Sequence, residues 1–118
     1  MSEITIPFRP EFHEKILGGT KTMTCRSRKM GEVGDLFSVG GQMFVLRQVF
    51  RAILHYVVTD AYIQEGCESS GDLIRVWEKI HPIKGYEPNT IVWAHCWMPQ
   101  VVRSEQTVLL AVEYEKKA

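Results

Sequence analysis

The sequence predicts one small α+β domain, mainly β, built as a curved mixed sheet or barrel with two short helices. Three observations carry this. β-rich runs recur along the chain, each bounded by glycine or proline. Two segments carry helix signals. Consecutive strands follow one another without crossover helices, which favours antiparallel or mixed pairing over a doubly wound parallel sheet. The 118 residues suit a single domain, able to bury roughly two thirds of its unfolded surface without disulfides or a structural metal.

Each element has its own signal. Ile4, Ile6 and Phe8 alternate with other residues, as on a short strand. Pro10 suits the first turn of a helix, Glu11 and Glu14 suit its positive end, and Gly18-Gly19 stops it. A strand is expected over about residues 22–28, then a turn at Gly31 and Gly34-Asp35. Leu36–Val39, Gly40-Gly41 and Gln42–Phe50 read as a hairpin with a tight glycine turn. The apolar run Ala52–Val58 reads as continued strand. Ser69, with Asp72 three residues on, resembles a capping box. Leu73, Val76, Trp77 and Ile80 then give a helical stripe that Pro82 ends. Ile91–Trp97 is a strand broken by Pro99, and a last strand is expected over residues 107–114 in a C-terminal extension from about 99.

Composition excludes several classes. Apolar residues make up 45% and charged residues 24%, so disorder and low complexity are out. No apolar run approaches the ~20 residues of a membrane span, and the N-terminal MSEITIPFRP lacks the apolar stretch of a signal peptide. Fourteen basic residues balance fourteen acidic ones, so DNA wrapping is not expected. Residues 1–51 carry +3 and residues 52–118 carry −3, which leaves room for a small positive face. Cys25, Cys67 and Cys96 are odd in number and form no CxxC, so free thiols and a reducing cytoplasm are expected. The histidines show no zinc spacing, and neither a metal nor a cofactor is expected.

The chemistry-bearing segment is Gly18-Gly19-Thr20-Lys21-Thr22-Met23-Thr24-Cys25-Arg26. On a strand, Thr22, Thr24 and Arg26 share one face. Lys21 joins Thr24 only if it sits in the turn before the strand. The alternative is a solvated lysine and threonine on an exposed strand. Glu65 precedes the capped helix and, alone, reads as a loop acid. Trp93 and Trp97 share a face with His95, either as core or as a platform for a base.

The pattern Gly19-x-Lys21-x-x-Thr24-x-Arg26, with Gly34-Asp35, Gln64-Glu65, Ile80-His81-Pro82 and the Ile91–Trp97 strand, resembles the ASCH domain of the PUA-like β-barrel superfamily. The resemblance spans about residues 4–98 and is closest to the small bacterial N(4)-acetylcytidine amidohydrolases. It implies a PUA-like mixed β-barrel and a catalytic set of Lys21, Thr24 and Glu65, with Arg26, Arg28 and Trp93 against substrate. The implied partner is a modified nucleoside or single-stranded RNA; a non-catalytic RNA-binding ASCH module is the alternative. The sequence departs from the small amidohydrolases in the extension after Pro99 and in the basic Ser27-Arg28-Lys29, where those enzymes are more acidic.

Amide hydrolysis needs a nucleophile, a base and an acid for the leaving amine. Thr24 would supply the hydroxyl. Lys21 would take its proton as the neutral amine, the form favoured by burial or by a neighbouring cation such as Arg26. Glu65 would pass a proton to the leaving nitrogen or orient Lys21. An ion pair between them would favour the charged lysine instead.

Overall fold

The computed structural model of the chain describes residues 2–100. Its elements run α1 (Pro10–Leu17), β1 (Met23–Arg26), β2 (Leu36–Val39), β3 (Gln42–Ile53), α2 (Leu54–Asp60), α3 (Ser70–Ile80) and β4 (Ile91–Pro99). The strands form one curled antiparallel sheet in the order β1-β4-β3-β2, an open half-barrel with three helices. A single parallel bridge, Glu3 to Leu36, adds the N-terminal segment beside β2. Asp35 holds that junction: its carboxylate accepts from the backbone N–H groups of Ser2 (3.1 Å) and Glu32 (2.8 Å).

The β2–β3 turn consists of Gly40 and Gly41, with φ of 55° and 83°. Two consecutive positive φ values make a hairpin turn whose twist matches the strands, and glycine adopts them without strain. β3 then runs against β4 from Phe44↔Pro99 to Ile53↔Ile91, with a register shift between Leu46 and Gln48 that bends the ladder.

Alternation along β4 splits the core in two. Val92 and Ala94 face one side, where Met23, Cys25, Leu54, Val57, Val58 and Leu73 pack under α2 and α3. Trp97 faces the other, among Ile6, Ile16, Phe37, Val39, Phe44 and Leu46. Phe37 stacks on Phe44 (5.6 Å) and meets Trp97 edge-on (5.4 Å), a favourable aromatic arrangement. α3 begins as expected: the Asp72 N–H donates to Ser69 Oγ at 3.1 Å.

Two expectations are corrected. The run Ala52–Val58 does not continue as strand. β3 stops at Ile53, and Leu54–Asp60 forms a third helix that buries Leu54, Val57 and Val58. The apolar residues there satisfy both periods. Tertiary partners decide between them, because the first helical N–H groups donate to Thr90 O and Pro88 O. Residues 4–8 form no strand either. Their alternation survives without a ladder: Ile6 is buried and Ile4 and Phe8 pack beside it, while Thr5 and Pro7 stay exposed. The strand expected over 107–114 lies outside the described residues. No helix among the described residues is long and apolar enough to cross a membrane.

Candidate active site

Lys21 sits in the turn between α1 and β1, and not in the regular strand. Its backbone N–H donates to Lys15 O (2.9 Å), and that of Thr22 donates to Gln64 O (2.8 Å). These bonds press the turn against the loop joining α2 to α3. Gly66 permits the approach. Its φ is +86°, and a Cβ there would lie 2.9 Å from Lys21 Cβ. Lys15 Nζ donates to Gly66 O at 2.8 Å and ties the loop from the other side.

The result is a buried ion pair. Lys21 is 4% exposed and Glu65 is 7% exposed. Lys21 Nζ donates to Glu65 Oε2 (3.0 Å), Glu65 O (3.0 Å) and Met23 O (2.8 Å). Three acceptors match the three donors of an ammonium. Lys21 is therefore paired with Glu65, which is the arrangement that favours the charged lysine. Glu65 Oε1 is buried and accepts no well-formed hydrogen bond among the described residues, with the Cys25 thiol the side chain next to the carboxylate.

Thr24 is buried on edge strand β1. Arg26, two residues on and on the same face, donates from Nε to Thr24 Oγ1 (3.2 Å) and from a terminal nitrogen to Pro7 O (2.6 Å). Its guanidinium lies 5.1 Å from the Phe8 ring centre. Arg26 thus fixes the threonine hydroxyl oxygen as an acceptor and leaves its hydrogen free to donate elsewhere. Burial lowers the Arg26 pKa, and the Glu65 charge opposes that.

A cavity of about 370 Å³ opens here, within the size range of small-molecule sites. Lys21, Thr24, Arg26, Arg28 and Glu65 all line it, and Trp93 does not. Trp93 lies on the sheet opposite Arg26 of β1 and Arg51 of β3. Lys29 and Arg51 lie 5.4 Å and 5.9 Å from its ring centre. Trp97 is core, and its buried indole nitrogen has no partner among the described residues.

The cavity's apolar walls come from Phe8 of the N-terminal segment, Phe12 of α1 and Trp77 of the α3 stripe. Trp77 packs against the core and also stacks on His81 (4.2 Å between ring centres, 23° between planes), and both line the cavity. The i, i+4 spacing of Trp77 and His81 was the available signal. Lys21 Nζ also lies 5.3 Å from the Phe12 ring centre.

Burial first, and the Glu65 charge second, push Cys25, Cys67 and Cys96 up from the ordinary thiol range. All three cysteines are free. Among the described residues, no three His, Cys, Asp or Glu side chains gather as a metal would require.

His95 supports the site from behind. It is fully buried. The Met30 N–H donates to its Nε2 (2.9 Å), so Nδ1 carries the proton and faces Thr24 O (3.3 Å). This ring ties the 27–30 loop to β1. Burial, the largest cause, lowers the His95 pKa below its ordinary value of about 6.5, against the opposing bond to Thr24 O. The unfolded chain then takes up the proton more readily than the folded one. The His95 contribution is complete above about pH 6.5 and is lost as pH falls towards the lower folded value. Urea midpoints at pH 7.5 and pH 5 are expected to differ less for His95→Asn than for the parent chain. Equal differences in the two proteins would remove His95 as a source of acid sensitivity.

Solved structures share this architecture. An ASCH domain from Lactobacillus crispatus superposes with a TM-score of 0.59 at 16% identity, covering 83% of this chain and 78% of that one. The chain has the fold of an ASCH domain. The hypothetical protein PH0355 superposes at 0.60 with 16% identity, over 84% of this chain and 98% of its own. Protein PF0455 from Pyrococcus furiosus superposes at 0.56 with 17% identity, over 86% and 100%. The sequence matches no family model and no curated protein. The likeness is one of ASCH architecture, and chemistry has to be argued from this chain's own side chains.

Proposed function

We propose that this cavity hydrolyses the amide of an N(4)-acylated cytosine, with N(4)-acetylcytidine as the test substrate. The observation that carries the reading is the buried Lys21–Glu65 pair, in which Glu65 Oε1 has only the weak thiol donor of Cys25 beside it among the described residues. A buried acceptor without a donor costs about 1–3 kcal/mol, more when charged, and an amide N–H at the substrate's N4 supplies the donor. Phe8, Phe12 and Trp77 offer apolar walls to a flat ring.

The chemistry balances within these residues. Water is excluded as the ligand fills the cavity, which favours neutral forms. A proton then crosses the 3.0 Å bond from Lys21 to Glu65, leaving an amine and a carboxylic acid. The amine takes the Thr24 hydroxyl proton while Oγ1 bonds to the acetyl carbon. Glu65 gives its proton to N4 as the C–N bond breaks, releasing cytidine. Water then hydrolyses the acetyl ester, which restores the hydroxyl and releases acetate and one proton to solvent. Lys21 ends as the ammonium and Glu65 as the carboxylate.

Incubating the protein with N(4)-acetylcytidine is expected to yield equal amounts of cytidine and acetate, and Lys21→Ala is expected to lose ~10²-fold or more of that rate. No turnover by the parent chain at high protein concentration would sink the reading. A second reading, a non-catalytic RNA-binding module, is favoured by Lys29 and Arg51 around Trp93. It predicts affinity for single-stranded RNA that falls with salt, each lost phosphate contact lowering the log–log slope by roughly 0.7.

A further inference from the structure

We propose that the ligand of this cavity carries a phosphate, held at the mouth by Arg28 together with Arg9 and Arg26. The inference rests on the cytosine reading of the deep end and extends it to an anionic ligand.

Charge balance is the first argument. The side chains lining the cavity include four cations, Arg9, Lys21, Arg26 and Arg28, and a single acid, Glu65. Lys21 and Glu65 neutralise each other. Three guanidinium groups then line one cavity with no carboxylate left in the lining to answer them.

Their existing partners leave capacity. Arg26 uses Nε and one terminal nitrogen on Thr24 and Pro7, which holds its plane still and leaves its other terminal nitrogen without a partner among the described residues. Arg28 is exposed and makes no hydrogen bond or ion pair among the described residues. Arg9 meets Glu11 at 3.7 Å, a loose surface pair worth little. Guanidinium forks match phosphate oxygens and bind them as charge-assisted pairs.

The mouth is also built. The 27–30 loop that carries Arg28 is anchored by the Met30–His95 bond to a fully buried ring. A loop held in place spends less ordering entropy on binding. Beyond the mouth the positive surface continues. Arg26, Trp93 and Arg51 stand in one row across β1, β4 and β3; Lys29 lies over the same ring but is paired with Glu32 at 2.6 Å.

The phosphate has two possible sources, a mononucleotide or a link in single-stranded RNA. Titrations with cytidine, cytidine 5′-monophosphate and a short oligocytidylate, followed by calorimetry, separate them. The monophosphate is expected to bind about tenfold to hundredfold more tightly than cytidine, the factor for hydrogen bonds to a charged group. Arg28→Gln should remove most of that ratio. An oligocytidylate that binds tighter still, and loses this gain in Arg51→Gln, identifies the phosphate as part of a chain. Equal affinity for monophosphate and oligomer identifies a mononucleotide. Equal affinity for cytidine and its monophosphate, or a preference that survives both Arg28→Gln and Arg9→Gln, overturns the proposal. Failure of all three ligands to bind overturns it along with the cytosine reading. Phosphate-dependent binding without hydrolysis of N(4)-acetylcytidine upholds it and removes the hydrolase alone.

Discussion

Lys21→Met is expected to destabilise the fold by about 3–5 kcal/mol, the usual cost of removing one partner from a buried ion pair. Both charges are almost wholly out of water, and Lys21 satisfies Glu65 Oε2 and two backbone carbonyls at once. Methionine fills the space of the stem but supplies no donor. The Glu65 carboxylate would then be buried with neither oxygen partnered by Lys21. Such a loss is large against the 5–15 kcal/mol that holds a domain together. The double variant Lys21→Met/Glu65→Leu is expected to recover much of it, because no orphaned charge remains. Urea unfolding of the parent, both single variants and the double variant measures the coupling. Losses that simply add would show that the two side chains do not act as a pair in solution.

Thr24→Ala and Glu65→Gln are each expected to lower the rate on N(4)-acetylcytidine by ~10²-fold or more, while Thr24→Ser keeps activity. Serine retains a hydroxyl where Arg26 Nε can donate to it. Alanine removes the attacking oxygen. Glutamine keeps the shape of Glu65 but cannot accept a proton from Lys21 and return it to the leaving nitrogen. Unfolding midpoints measured beside the rates separate chemistry from folding. A Glu65→Gln protein that folds normally and turns over at the parent rate would exclude Glu65 from proton transfer. Full activity in Thr24→Ala would move the nucleophile to water.

Much of the architecture was readable residue by residue. Pro10 and Gly18-Gly19 bound α1, Ser69 caps α3, and Gly40-Gly41 turns β2 into β3, because each acts through local backbone preference. The run Leu54–Val58 was not readable as α2. Its residues fit either period, and the carbonyls of Pro88 and Thr90 that receive the first helical N–H groups lie more than thirty positions away in sequence. Trp77 does pack against the core, but a helical stripe says only which face is apolar, not that a cavity also lies against it. Arg26 lines the cavity as expected of a residue near substrate, but its bonds to Thr24 and Pro7 were not readable from the sequence.

The sequence by itself determined the fold class, the order of most strands and helices, and the short segment that brings Lys21, Thr24 and Arg26 together. These follow from periodicity, capping and turn chemistry, which operate over a few residues. Only the tertiary structure decided that Lys21 is charged and paired. Glu65 is 44 positions away, and nothing local fixes how two segments that far apart will meet. Desolvation, which makes the pair consequential, is likewise a property of the packed molecule: it exists once α1, the 61–67 loop and β1 have closed around the two side chains.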